Sequence, residues 1–307
     1  MARLPRYRRV LVMAREGGAE APAFRLAAEL AHLLALDLEG LFVENEALLT
    51  LAGLPFAREL RLPGHTWRAL DAGQMLEDFR LAAEEARRML EVAAGALGVP
   101  SAFSVLRGDP AGALAERAGA RDILVMVESV AARLAGFRGT GGEIFWRDGA
   151  GVLLVPSRPW VRRGSVAVVL PGEEDGGLEI GAAIARAAAE DLVLVAPEEG
   201  SEARLEGVLR EAGVPPARVQ RRRLRSAEAG AIAEALRAAG ARLAVLDRAR
   251  LPEDAEGFVA RLLAAAGVPV LVVGGAAPEG EAARGGTPRG NVPRGNVPRG
   301  NVPRGGA

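Results

Sequence analysis

Four short blocks recur in the same order along this chain, and any fold must accommodate that repetition first. Val10-Leu11-Val12 returns as Val166-Ala167-Val168, and Leu97-Gly98-Val99-Pro100 returns as Ala212-Gly213-Val214-Pro215. Gly119-Ala120-Arg121-Asp122-Ile123-Leu124-Val125 returns as Gly240-Ala241-Arg242-Leu243-Ala244-Val245. Each copy then closes on an apolar run, Gly151-Val152-Leu153-Leu154-Val155 and Gly267-Val268-Pro269-Val270-Leu271-Val272-Val273. One echo is unremarkable in a chain rich in Ala, Gly and Val, but four in register mark a duplication. A length of 307 residues is enough for two units with separate cores. The expected division is residues 1–160, residues 161–276, and a tail over 277–307.

Each copy reads as strands alternating with helices. Strands are predicted near residues 8–14, 38–44, 102–107, 122–127 and 151–156, and near 165–170, 191–196, 218–224, 242–246 and 268–273. Most are continuous apolar runs without polar alternation, the pattern of a parallel sheet covered by helices on both faces. Val219-Gln220-Arg221-Arg222-Arg223-Leu224-Arg225 is the exception. It is too polar for a sheet centre and belongs at an edge, where charge discourages sheet-to-sheet association.

The spacing of Leu76, Phe79, Ala83, Ala86, Leu90, Ala93 and Leu97 predicts an amphipathic helix over about 68–97 that packs on the sheet, with Glu84 and Arg88 at a supportive spacing. Asp109-Pro110 reads as a helix start, the carboxylate capping free amides and the proline standing where no N–H is needed. Ser226 is expected to cap the matching helix of the second copy. Residues 45–67, with Leu48, Leu49, Leu51, Leu54 and Phe56, form an insertion that the second copy lacks. Its apolar content predicts that it packs over the first sheet or between the copies.

Composition excludes several classes of function. There is no cysteine, so disulfides and thiolate metal sites are absent. His32 and His65 have no nearby partners to complete a zinc set, and no Gly-x-Ser-x-Gly elbow is present. The first apolar run is interrupted at Arg15 and Glu16, too short for a secretory signal, and no run approaches a membrane span. A cytoplasmic protein without membrane association is the expectation.

The 39 basic residues, all arginine, balance 39 acidic ones. Arg284, Arg289, Arg294, Arg299 and Arg304 lie in an acid-free tail, so the rest of the chain is mildly acidic and does not suggest a nucleic-acid partner. The tail repeats Asn-Val-Pro-Arg-Gly and is too poor in apolar groups to offset ordering entropy, which predicts disorder.

Arg107-Gly108-Asp109-Pro110-Ala111-Gly112-Ala113-Leu114, continuing through Ala120-Arg121-Asp122-Ile123-Leu124-Val125-Met126, resembles the universal stress protein family, whose strand ending in Gly-Asp-Pro leads into a helix and then a strand of the type Ala-Asp-Leu-Ile-Val-Met-Gly. The resemblance spans about residues 8–275. It implies an α/β fold of two tandem doubly wound, parallel five-stranded sheets of the adenine nucleotide alpha hydrolase type, each in the order 3-2-1-4-5. It also implies fifth strands that pair, here within one chain as a pseudo-dimer or between chains as a homodimer.

Many members of that family bind ATP through an aspartate after strand one and a loop Gly-x2-Gly-x9-Gly-Ser/Thr after strand four, where glycine lets backbone amides approach phosphate. Here the first strand ends Val12-Met13-Ala14-Arg15, and its counterpart ends Val169-Leu170-Pro171-Gly172, so neither has the aspartate. The family's Met-Gly is Met126-Val127 in one copy and Leu246-Asp247 in the other. Gly136-x2-Gly139-x9-Gly149 has the loop spacing, but Ala150 replaces the hydroxyl residue and the fifth strand follows at once, without the family's intervening helix. Glu128 and Ser129 occupy the carboxyl end of strand four, where open α/β sheets place ligands.

A nucleotide, if held, would therefore meet Ala14, Arg15, Val43, Gly108, Val127, Glu128, Ser129, Gly136, Gly139 and Gly149. The leading expectation is a regulatory or interaction protein of the stress response without cofactor or catalysis, acting on a protein partner. An ATP- or AMP-binding stress protein is the alternative, and a nucleotide-related hydrolase is the third.

Overall fold

The computed structural model describes residues 7–14, 21–61, 64, 66–127, 150–169, 176–196, 207 and 209–274. The first copy contributes strands β1 (Arg9–Ala14), β2 (Asp37–Asn45), β5 (Ser101–Gly108), β6 (Asp122–Val127) and β7 (Gly151–Val155). The second contributes β8 (Ser165–Val169), β9 (Leu192–Ala196), β10 (Val219–Arg223), β11 (Ala241–Asp247) and β12 (Val270–Val273). All ten expected strands are present. The helices are α1 (Ala21–Leu34), α2 (Glu46–Ala52), α3 (Ala72–Gly95), α4 (Pro110–Arg117), α5 (Gly176–Ala188), α6 (Ala229–Ala238) and α7 (Ala255–Ala266). A small hairpin, β3 (Arg58–Arg61) and β4 (Thr66–Ala69), completes the insertion.

The sheet order is β10-β9-β8-β11-β12-β7-β6-β1-β2-β5, so each copy has the order 3-2-1-4-5. The two five-stranded sheets do not stand apart. Val270, Leu271 and Val272 pair antiparallel with Leu154, Leu153 and Val152, joining the fifth strands into one ten-stranded sheet. Within each five-stranded half of that sheet all pairings are parallel.

Alternate residues explain the two helical layers. Val10, Val12, Ile123, Val125, Val166 and Val168 face the cluster that α1, α3 and α5 supply. Leu11, Met13, Leu124, Met126, Ala167 and Val169 face the cluster that α4, α6 and α7 supply. Buried on both sides, such strands must be apolar throughout. The arginine-rich β10 takes one edge and the exposed β5 takes the other.

Local chemistry shifts several boundaries. The long helix begins at Ala72 because Asp71 caps it, accepting from the Gln74 N–H at 2.7 Å, while Thr66–Ala69 is strand. Its stripe is buried from Phe79 to Ala93, but the terminal Leu76 and Leu97 remain exposed. Glu84 pairs with Arg80 at 2.5 Å rather than with Arg88. Asp109 caps α4 through the Gly112 N–H at 2.8 Å, with Pro110 in the first turn. Ser226 does not cap α6; its Oγ accepts from the Glu228 N–H at 3.4 Å, and Glu228 holds the cap position.

The insertion packs only in part. Ala52 and Ala57 are buried and Leu49 touches the core, yet Phe56 is 75% exposed and Trp67 64%. No helix among the described residues is long and apolar enough to cross a membrane.

Candidate functional site

Open parallel sheets bind ligands beyond the carboxyl ends of their strands, where the strand order reverses. In the first copy that point lies between β1 and β6. β1 ends at the buried Ala14, on the same face as Val12 and across from Phe42 of β2. β6 ends at the half-buried Val127, which touches the cores on both faces. Val43 is half-buried on β2, and Gly108 ends β5 opposite Asn45.

Ala14, Val43, Gly108 and Val127 are thus gathered at one end of the sheet, each a small or aliphatic residue without a charged or hydrogen-bonding side chain. Arg15, Glu128, Ser129, Gly136, Gly139 and Gly149 lie outside the described residues. The insertion begins at this same end. Asn45, the last residue of β2, accepts from the Ala47 N–H at 3.0 Å and the Leu48 N–H at 3.4 Å, which starts α2 immediately beyond the strand.

The corresponding point of the second copy, between β8 and β11, is filled by the protein itself. Asp247 ends β11 and is 1% exposed. Its Oδ2 accepts from the Gly176 N–H, the first residue of α5, at 2.8 Å, and its Oδ1 accepts from the Ala249 N–H at 2.9 Å. A helix N-terminus concentrates free amides and positive potential, which is why phosphates settle there. Here a carboxylate from the neighbouring strand has that place. Sequence reasoning identified Asp247 only as standing where the family has a glycine; its bond to Gly176 joins residues 71 positions apart and has no local signal.

The opposite, amino end of the first copy holds a buried ionic cluster that sequence reasoning missed. Arg9 donates to Asp122 Oδ1 and Oδ2 at 3.1 and 2.5 Å and to Glu39 Oε2 at 2.5 Å. Arg117, in the last turn of α4, donates twice to Glu39 Oε1 at 2.8 and 2.6 Å. Burial pushes the Glu39 carboxyl up, but hydrogen bonds and charge from Arg117 and Arg9 outweigh it and hold the group below its ordinary value. The cluster pins β1, β2, β6 and α4 together. It is saturated by its own members and has a structural role.

A second buried cation ties the copies together. Arg242, on β11, bonds Glu190 at 2.5 Å and Glu29 of α1 at 2.9 Å. The Tyr7 hydroxyl likewise accepts from the Gly274 N–H at 3.2 Å, across the length of the chain. Among the described residues no cluster of three metal-ligating side chains occurs.

No protein-family model and no curated protein matches this sequence. Solved structures do. A universal stress protein from Archaeoglobus fulgidus DSM 4304 superposes with a TM-score of 0.61 at 14% identity, over 87% of this chain and 96% of its own. A putative universal stress protein from Pseudomonas aeruginosa UCBPP-PA14 covers 88% of this chain and 94% of its own at 17% identity, with a TM-score of 0.48. A universal stress protein in complex with cAMP aligns over 50% of this chain and 98% of its own, at 17% identity and a TM-score of 0.31. The superposition on the Archaeoglobus fulgidus protein runs nearly the full length of both chains, and with two 3-2-1-4-5 sheets on the page, this chain has the universal stress protein fold twice over.

Proposed function

We propose that this chain is a regulatory or interaction protein of universal-stress type that works without a bound nucleotide. The observation that carries this reading is Asp247, whose carboxylate already occupies the α5 N-terminus at the ligand position of the second copy. A phosphate arriving there would meet a buried negative charge and would have to displace it from two amides. The first copy presents Ala14 and Val127 where a nucleotide-binding relative, as the resemblance implies, has an aspartate and a glycine. A fold alone does not assign a function, so the reading rests on these two ends of the sheet. The pairing of β7 with β12 supports a pseudo-dimer within one chain, because the fifth-strand edges are already joined. The same reading extends to a stress-related role in the cytoplasm, with the likeness in fold as its support.

Calorimetric titration of the full chain with Mg-ATP tests the proposal. No binding in the micromolar range is expected, and one micromolar site would overturn it. If such a site appeared, Gly139→Trp would report whether the first copy holds it. Asp247→Ala is expected to lower stability by about 1–3 kcal/mol, since the buried Gly176 amide loses its acceptor. Urea unfolding checks the loss.

A further inference from the structure

The helical layer of the first copy carries a groove of about 670 Å³ between the partly open stripe Ala21, Arg25, Glu29 of α1 and the second half of α3. That volume lies within the range of small-molecule pockets. The alanines at 21, 93 and 96 leave the space open, because longer side chains there would fill it. Met89, Val92 and Leu97 give it an apolar surface, on which Val92 is 72% exposed.

The charges around this apolar surface are unbalanced. Arg25 of α1, Arg88 of α3 and Arg162 of the segment joining the copies all line the groove. None of the three pairs with a carboxylate among the described residues: Glu84 is held by Arg80, and Glu29, although it lines the groove, is held by Arg242. Glu85 alone remains to oppose three guanidiniums. A groove with an apolar wall and surplus arginine complements a molecule with an apolar body and an anionic end. A purely hydrophobic partner would leave the arginines unanswered, and a phosphate without an apolar part would leave Val92 and Leu97 wet.

We propose that this groove binds a small amphipathic anion, an unbranched aliphatic chain ending in one carboxylate. Met89, Val92 and Leu97 take the chain, and Arg25, Arg88 and Arg162 take the head. None of the residues that line the groove lies on a strand, and the proposal does not depend on whether a nucleotide binds at the strand ends.

Isothermal titration of the full chain with dodecanoate below its micellar concentration tests this, with dodecanol and inorganic phosphate as comparison probes. One dodecanoate per chain is expected, at least tenfold tighter than dodecanol, with no heat from phosphate. The double variant Arg25→Gln/Arg88→Gln should weaken dodecanoate tenfold or more and leave dodecanol unchanged. Ala96→Trp, which fills the groove from the exposed C-cap position of α3, should abolish binding while circular dichroism stays that of the parent. Equal affinity for dodecanol and dodecanoate, unchanged binding in either variant, or no binding at millimolar dodecanoate would each overturn the assignment.

Discussion

Replacing Arg9 by methionine is expected to lower the stability of the chain by roughly 3–5 kcal/mol, the cost of removing one member of a buried ionic cluster. The size follows from what is left behind. Asp122 is fully buried and Glu39 is 5% exposed. Glu39 would keep Arg117, whereas Asp122 would keep only the Gly119 N–H at 2.8 Å and the more distant, largely exposed Arg8 at 3.6 Å. Both carboxylates lie on strands flanking β1, so the loss falls on the centre of the first copy.

Arg9→Lys should recover little, because one ammonium cannot reproduce the forked contacts to two carboxylates. The effect also depends on pH, with a sign that can be worked out. Glu39 has its folded-state value depressed, so its contribution is present above the ordinary value near 4.5 and is lost as acid titrates through the lower folded value. Urea unfolding of parent and Arg9→Met at pH 7 and again well below pH 4.5 should therefore give converging curves in acid. A difference below about 1 kcal/mol at pH 7 would contradict the buried-cluster reading.

Gly164→Ala is expected to cost roughly 2–4 kcal/mol, combining backbone strain with overpacking. Gly164 has φ +154°, a conformation that favours glycine, and a Cβ placed on it would lie 2.2 Å from the Gly240 carbonyl oxygen. That oxygen also accepts the Ser165 N–H at 3.2 Å. Because the obstacle is backbone, it cannot rotate aside, and β8 would have to withdraw from the start of β11. Gly95→Ala is the matched control. Gly95 is in α3, no atom lies within 4 Å of its added Cβ, and the change should stabilise by about 0.5–1 kcal/mol through helix propensity. Opposite signs for the same chemical change are the expected result of thermal or urea unfolding; a loss under about 1 kcal/mol at Gly164 would show that the two strands can separate without penalty.

Much of the architecture was legible along the chain. The apolar runs placed the interior strands within a few residues, because strands buried on both faces need continuous apolar sequence whatever their partners, and the arginines of β10 placed it at an edge. Asp109-Pro110 predicted the α4 start for an equally local reason, a cap acting over three residues. Ser226 shows the limit of such reasoning. Its hydroxyl makes a turn bond to Glu228 instead, since the helix start is set by where Ile232 and Leu236 must be buried. The insertion misled in the same way: its apolar residues suggested packing, but Phe56 and Trp67 lie on a small hairpin region with too little protein around it to cover them.

The candidate site divides along the same line. Missing groups are readable in sequence, so Ala14, Val127 and Asp247 revealed where the nucleotide pattern departs. What Asp247 does instead was decided by the crossing of β11 past α5, which sets a carboxylate on an amide 71 residues away. Arg9 with Asp122, Arg242 with Glu29, and Val152 with Val272 are likewise pairings between distant segments.

By itself the sequence determined the duplication, the strands and the order of elements, because those depend on periodicity and on the side chains' own preferences. Only the tertiary structure decided which charges are neutralised, which helix end is already occupied and which groove stays open. Each of those depends on the distance between residues far apart in the chain, and that distance exists only once the sheet has formed.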